Sequence, residues 1–125
     1  MFFQIDPANG LAIYDQVVRQ MKFAIANAAV RPGEMVPSVR QLARQLDINP
    51  NTVARAYREL QNEGILELVR GTGLKVASGA VKECKSERRQ LVRERLESVF
   101  GEAAQSGLAK TELKRLVDDE LKTFK

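Results

Sequence analysis

The apolar positions of the first third of the chain recur with helical spacing. Between Leu11 and Ala29 they fall at Tyr14, Val18, Met21, Ile25 and Ala28, steps of four, three, four and three that predict one amphipathic helix. Arg31-Pro32-Gly33 ends it, because proline cannot continue the hydrogen-bond ladder. Pro37-Ser38 opens a second helix, with Ser38 and Gln41 at the spacing of a capping box. Its apolar face is Val39, Leu42, Ala43 and Leu46, and it stops near Asp47. After a short turn, Asn49 is a good N-cap and Pro50 suits the first helical position, where its missing N–H costs nothing. This third helix buries Val53, Ala56, Tyr57 and Leu60, and Gly64 closes it in the left-handed conformation.

The pattern then changes. Ile65–Val69 and Leu74–Val76 are short apolar runs on either side of Arg70-Gly71-Thr72-Gly73, which predicts a β-hairpin with a glycine-containing tip. Residues 1–10 read as an extended arm, with turn chemistry at Pro7 and Asn9-Gly10, and Ser78-Gly79 as a junction. Residues 80–100 are expected to be a helix, charged in its first half and apolar at Leu91, Val92, Leu96, Val99 and Phe100. A loop over Gly101–Gly107 and a last helix carrying Leu113, Leu116, Val117, Leu121 and Phe124 follow.

Composition narrows the chemistry. The chain has 125 residues, enough for one domain or a small domain with an appendage. Lys and Arg exceed Asp and Glu by 20 to 16, a mild positive balance that suits nucleic acid without demanding it. A lone Cys84 and the absence of histidine leave no disulfide framework, no soft-ligand metal site and no imidazole base, so neither metal nor cofactor is expected. The N-terminus lacks the form of a signal peptide and no stretch approaches the ~18 apolar residues of a membrane span, so the expected compartment is the cytoplasm, with no membrane partner. An enzyme is disfavoured. Gly71-Thr72-Gly73-Leu74-Lys75 fails as a phosphate loop because Lys75 falls in a predicted strand instead of at the mouth of a helix.

Helix, helix, short turn, helix and hairpin in that order are mainly α with a small β-hairpin. They read as a winged helix-turn-helix over residues 1–78, counting the N-terminal arm, followed by a two-helix dimerisation segment over 79–125. The third helix would lie in a major groove. Asn51 and Thr52 on its first turn offer donor, acceptor and methyl groups, and Arg55 and Arg58 are candidates for phosphate. Arg40 and Arg44 share one face of the second helix. Arg70 and Gly71, with Thr72, sit at the hairpin tip, where glycine permits close backbone approach. Ser38 and Asn49 join the candidate interface but also read as plain caps, and exposed arginines are commonly a solvated face. The combination is what favours DNA.

The string GEMVPSVRQLARQLDINPNTVARAYRELQNEGILELVRGTGLKV, Gly33 to Val76, closely resembles the winged helix-turn-helix of the GntR family of bacterial transcription regulators. The resemblance rests on Pro37-Ser38 with Arg40, Leu42-Ala43, Asn49-Pro50-Asn51-Thr52-Val53, Tyr57, Leu60, Glu63-Gly64 and Gly71-Thr72-Gly73. It implies a homodimeric repressor whose Arg40, third-helix first turn and wing tip at Arg70-Gly71 contact a double-stranded operator. Family members usually carry a large effector domain, whereas the segment after Ser78 is too short for one. A two-helix tail instead resembles the YtrA subfamily, whose members often govern transporter operons. In similar tails a serine often caps the last helix. Here Ala109 stands at that place, and a Leu108–Leu113 staple is expected to compensate.

Physics agrees about the tail. Two short helices cannot bury their apolar stripes alone, so they are expected to pair with each other and with a second chain, in preference to packing within one chain only, through Leu91, Leu96, Val99, Phe100, Leu113, Leu116, Val117, Leu121 and Phe124. The alternative is a helical protein-interaction module without DNA binding, which explains the tail equally well but leaves the polar first turn of the third helix without a purpose. Nothing in the sequence marks a small-molecule effector site, nor does it give the operator or the regulated genes.

Overall fold

The computed structural model describes residues 3–125. The chain forms two compact units, one reaching to Arg89 and the other running from Gln90 to Lys125. In the first, α1 (Ile13–Ala26), α2 (Val39–Leu46) and α3 (Pro50–Asn62) precede β1 (Leu66–Val69) and β2 (Gly73–Val76). Helix α4 (Ala80–Gln105) starts in the first unit and ends in the second, which it shares with α5 (Lys110–Thr123). The mainly helical winged helix-turn-helix is therefore the fold.

The core gathers one face from each element. α1 contributes Val17, Val18, Met21 and Ile25, α2 Leu42 and Ala43, α3 Val53, Ala56, Tyr57 and Leu60. Ile65, Leu66 and Val76 of the hairpin region complete it, with Ala80 and Cys84 from the start of α4. The strands pair antiparallel, Leu66 opposite Val76 and Val69 opposite Gly73. The other edge of β2 is covered too: the Gly33 amide donates to the Val76 carbonyl at 2.8 Å, the Val76 amide to Glu34 at 2.9 Å and the Val36 amide to Leu74 at 2.9 Å. A segment bracketed by Pro32 and Pro37 is too short to show alternation, which is why it reads from sequence only as a connection.

Caps follow the sequence closely. Ser38 and Gln41 form a reciprocal capping box, and the Asn49 side chain accepts from the Asn51 amide at 2.8 Å with Pro50 in the first turn. Gly64, at φ +76°, ends α3. Two boundaries differ from expectation. α1 stops at Ala26 and not Ala29, since Ala28 turns left-handed at φ 61° and lies exposed outside the stripe. That turn brings Val30 into the core, 1% exposed, where a longer helix would have carried it away. The expected loop over 101–107 is mostly helix, because Glu102–Gln105 are strong helix formers that outweigh the cost of Gly101. α4 ends at Gln105, and Gly107 just beyond it is left-handed at φ +83°, with the Leu108 amide returning to Ala103 and the Gly107 amide to Ala104.

The arm is held by side chains. Buried Gln16 accepts from the Asp6 amide at 2.9 Å and donates to the Asp6 and Leu11 carbonyls, and Gln20 exchanges hydrogen bonds with the Gln4 backbone. Phe3 and Ile5 then pack against the core.

The compact units divide beyond the Ser78-Gly79 junction because the first turns of α4 are fastened to the first unit. Lys22 of α1, only 6% exposed, is paired with Glu63 at 3.0 Å and with Glu87 of α4 at 2.6 Å. Arg88 donates to Asn27 at 2.7 Å. Burial pulls the Lys22 ammonium toward its neutral form, but the hydrogen bonds and charges of Glu87 and Glu63 outweigh this and hold its pKa above the ordinary 10.5. Burial, with the Glu87 charge beside it, pushes the Cys84 thiol from 9.0 to about 11.

Lys22→Ala should cost about 2–3 kcal/mol in urea unfolding, less than for a fully dry pair because both glutamates are partly solvated. Both raised groups bind their protons more tightly in the folded state. Their stabilisation is thus whole below the unfolded values and fades as pH rises through the folded ones. Unfolding free energy should fall from about pH 9 upward, and a flat alkaline limb would contradict this.

Candidate nucleic-acid interface

The turn between α2 and α3 decides which groups of α3 are free. Asp47 takes the left-handed conformation, φ 54° and ψ 51°, so the chain reverses within Asp47-Ile48-Asn49. The Asn49 side chain is spent as the cap of α3. The side chains of Asn51 and Thr52 have no hydrogen-bond partner among the described residues. The opposite face, Val53, Ala56, Tyr57 and Leu60, is buried. α3 therefore offers a polar first turn whose side chains are not needed for its own stability.

A brace fixes α2 against α3. The Tyr57 hydroxyl donates to the Pro37 carbonyl at 2.8 Å, immediately before the Ser38 cap. Burial pushes the Tyr57 phenol well above its ordinary value, so it stays a donor. Around it, Pro37, Ser38 and Val39 face Thr72, Gly73 and Leu74 across a cleft of about 330 Å³. The start of β2 and the entry of α2 thus border one cleft. At the tip, Gly71 is left-handed at φ +77°, and the Thr72 amide donates to Val69 at 2.9 Å.

A second cleft is bordered by Asn51, Thr52 and Arg55 together with Ile13 and Tyr14 of α1. The Arg55 guanidinium lies over the Tyr14 ring, 3.6 Å from its centroid. Arg40, Arg44, Asn49, Arg58, Arg70 and Gly71 border neither cleft, and all are exposed. Among the described residues, no carboxylate lies within ion-pair distance of Arg40, Arg44, Arg58 or Arg70. Sequence reading missed the parts played by Tyr14 and Tyr57. Both lie in apolar stripes, and only the tertiary fold shows what their rings and hydroxyls meet.

In the second unit the expected tail residues are largely uncovered. Leu96, Val99, Leu116, Leu121 and Phe124 are 52%, 52%, 54%, 60% and 80% exposed, and Phe100 is 42% exposed. Leu91, Leu113 and Val117 are half-buried, and α5 has no buried residue. Ala109 caps α5 without a side-chain hydrogen bond, and Leu108 and Leu113 are both half-buried. Among the described residues, no helix is long and apolar enough to cross a membrane.

A helix-turn-helix with an unspent polar first turn, flanked by unpaired arginines and a glycine wing, defines the class of DNA-binding transcription regulators. The chain belongs to the GntR family, described as bacterial regulatory proteins, whose pattern it matches over residues 13–76. It is 37% identical over 105 residues to the HTH-type transcriptional repressor YtrA of Bacillus subtilis (strain 168), covering 84% of this chain and 81% of that protein. Among solved structures it is similar to a GntR family transcriptional regulator from Listeria monocytogenes, with a TM-score of 0.66, 27% identity and coverage of 89% and 96%. It is also similar to AraR(DBD) in complex with operator ORE1, with a TM-score of 0.52, 25% identity and coverage of 62% and 94%. The family is one of transcription regulators and not of enzymes.

Tyr57→Phe removes the brace while keeping the ring. It should lower stability by about 1–1.5 kcal/mol, because the Pro37 carbonyl loses its partner. Thermal unfolding with the wild-type midpoint would contradict this role for the hydroxyl.

Proposed function

We propose that this regulator is a homodimeric repressor that binds a pseudo-palindromic operator, placing one α3 in each half-site. The observation that carries the reading is the first turn of α3: Asn49 does the capping, and Asn51 and Thr52 keep their side-chain hydrogen-bonding groups for base edges. Ser38, Arg40, Arg44, Arg58, Arg70, Gly71 and Thr72, all of them exposed, serve as phosphate and minor-groove contacts. The similarity to an operator-bound relative supports the same use of the fold here.

Dimerisation is supported by the uncovered apolar side chains of the second unit. Exposed large apolar side chains such as Leu96, Val99, Leu116 and Leu121, four within one short segment, are expensive to leave in water. A two-fold pair of these segments would set the reading heads at half-site spacing. Repression, the cytoplasm as compartment and a transporter operon as target are supported by the resemblance to the YtrA subfamily. Genome-wide recovery of bound DNA tests the target directly.

Arg40→Ala and Thr52→Ala should each weaken operator binding by about 1–3 kcal/mol while leaving the fold intact. Wild-type isotherms for both would contradict the assigned surface. A dimer neutralising ~6–10 phosphates should lose ~10³–10⁵ in affinity between 50 and 200 mM salt. Leu96→Asp should shift sedimentation from dimer to monomer and reduce operator affinity together, whereas a monomeric wild-type protein would overturn the homodimer.

A further inference from the structure

Arg55 is exposed, yet its side chain is held in place. The guanidinium carbon sits 3.6 Å from the centroid of the Tyr14 ring, so a residue of α3 is seated on a residue of α1. Carboxylates nearby in sequence do not take it. Glu59 lies four residues further along the helix, the spacing of a surface ion pair, but forms none with Arg55. Asp15, adjacent to Tyr14, is occupied by Arg19 at 3.3 Å. The cation keeps its whole charge.

Stacking consumes only the flat face of a guanidinium. Its five N–H donors lie in the plane of the group and point outward from the rim. None of those on Arg55 has a hydrogen-bond partner among the described residues. A cation fixed in direction, with unspent donors in a planar fork, matches an oxyanion that can accept two parallel hydrogen bonds. It borders the same cleft as Asn51 and Thr52 of the first turn of α3.

We propose that Tyr14 is a positioning residue for DNA recognition, holding Arg55 with its donor edge toward a backbone phosphate at the border of the groove. The proposal rests on the DNA-binding reading above and adds to it a residue outside the helix-turn-helix. Base edges are met from the first turn of a recognition helix. Arg55 lies beyond that turn and is drawn sideways toward α1, which directs it at the sugar–phosphate strand flanking the groove. An unrestrained arginine would lose rotamer freedom on binding, and here the ring has already imposed that loss during folding.

Full-length protein and a short mixed-sequence DNA duplex test the proposal, with affinity read across a salt series. Arg55→Ala should reduce the slope of log affinity against log salt by about 0.9 per subunit. Tyr14→Leu should weaken binding roughly fivefold to thirtyfold in a dimer, and Tyr14→Phe, which keeps the ring face, should match wild type. The Tyr14→Leu/Arg55→Ala double variant should bind no worse than Arg55→Ala alone, because the ring acts only through the guanidinium. Tyr14→Met gives the same readings if the leucine variant fails to fold. Wild-type affinity in the leucine or methionine variant, additive losses in the double variant, or no rescue by phenylalanine would overturn the assignment of Tyr14. A wild-type protein that does not bind the duplex at all would instead overturn the DNA-binding reading itself.

Discussion

Helix α3 must be buried along Val53, Ala56, Tyr57 and Leu60 and uncovered along Asn51, Arg55 and Arg58, and the rest of the first unit satisfies both demands. α1, α2 and β1 all pack against it. Each also fixes something on its open side: α1 brings Tyr14 to Arg55, and α2 starts where the Tyr57 hydroxyl holds Pro37. The hairpin then brings Thr72 to Ser38 across a shared cleft. A helix buried all round could not read a groove, and one buried nowhere would have no fixed direction from which to read it.

The charged residues divide along the same line. Lys22 is nearly dry and engages both Glu63 and Glu87, spending two acids inside the unit. Asp15 is held by Arg19 and Glu67 by Lys75. Among the described residues, Arg40, Arg44, Arg55, Arg58 and Arg70 of α2, α3 and the wing have no acid within ion-pair distance, so these cations keep their charge for an outside partner. Net charge alone gives little sign of this, because it averages over groups that the fold has already neutralised.

Much of this was legible in the sequence because it is local. The Ser38–Gln41 box, the Asn49 cap with Pro50, the Gly64 stop and the hairpin around Gly71 depend on residues a few positions apart. What escaped is non-local or marginal. The stack of Arg55 on Tyr14, the Tyr57 hydroxyl at Pro37 and the Lys22 triad join residues far apart in the chain, and no periodicity encodes them. The third partner of the sheet, residues 33–36, is too short to alternate. Gly101 misled in the other direction: a glycine suggests a break, yet its neighbours carry the helix through to Gln105.

α4 has no loop between its two employments. Its first turns seat Ala80 and Cys84 in the core and deliver Glu87 to Lys22, while its last turns belong to the second unit. The reading head therefore does not end where its hairpin ends. A graft cut at Ser78 would open the place that Cys84 fills and strip a buried ammonium of one of its two counter-ions. A transplantable DNA-reading module has to carry its share of α4 at least as far as Glu87, and whatever is fused behind it inherits the direction of a helix already under way.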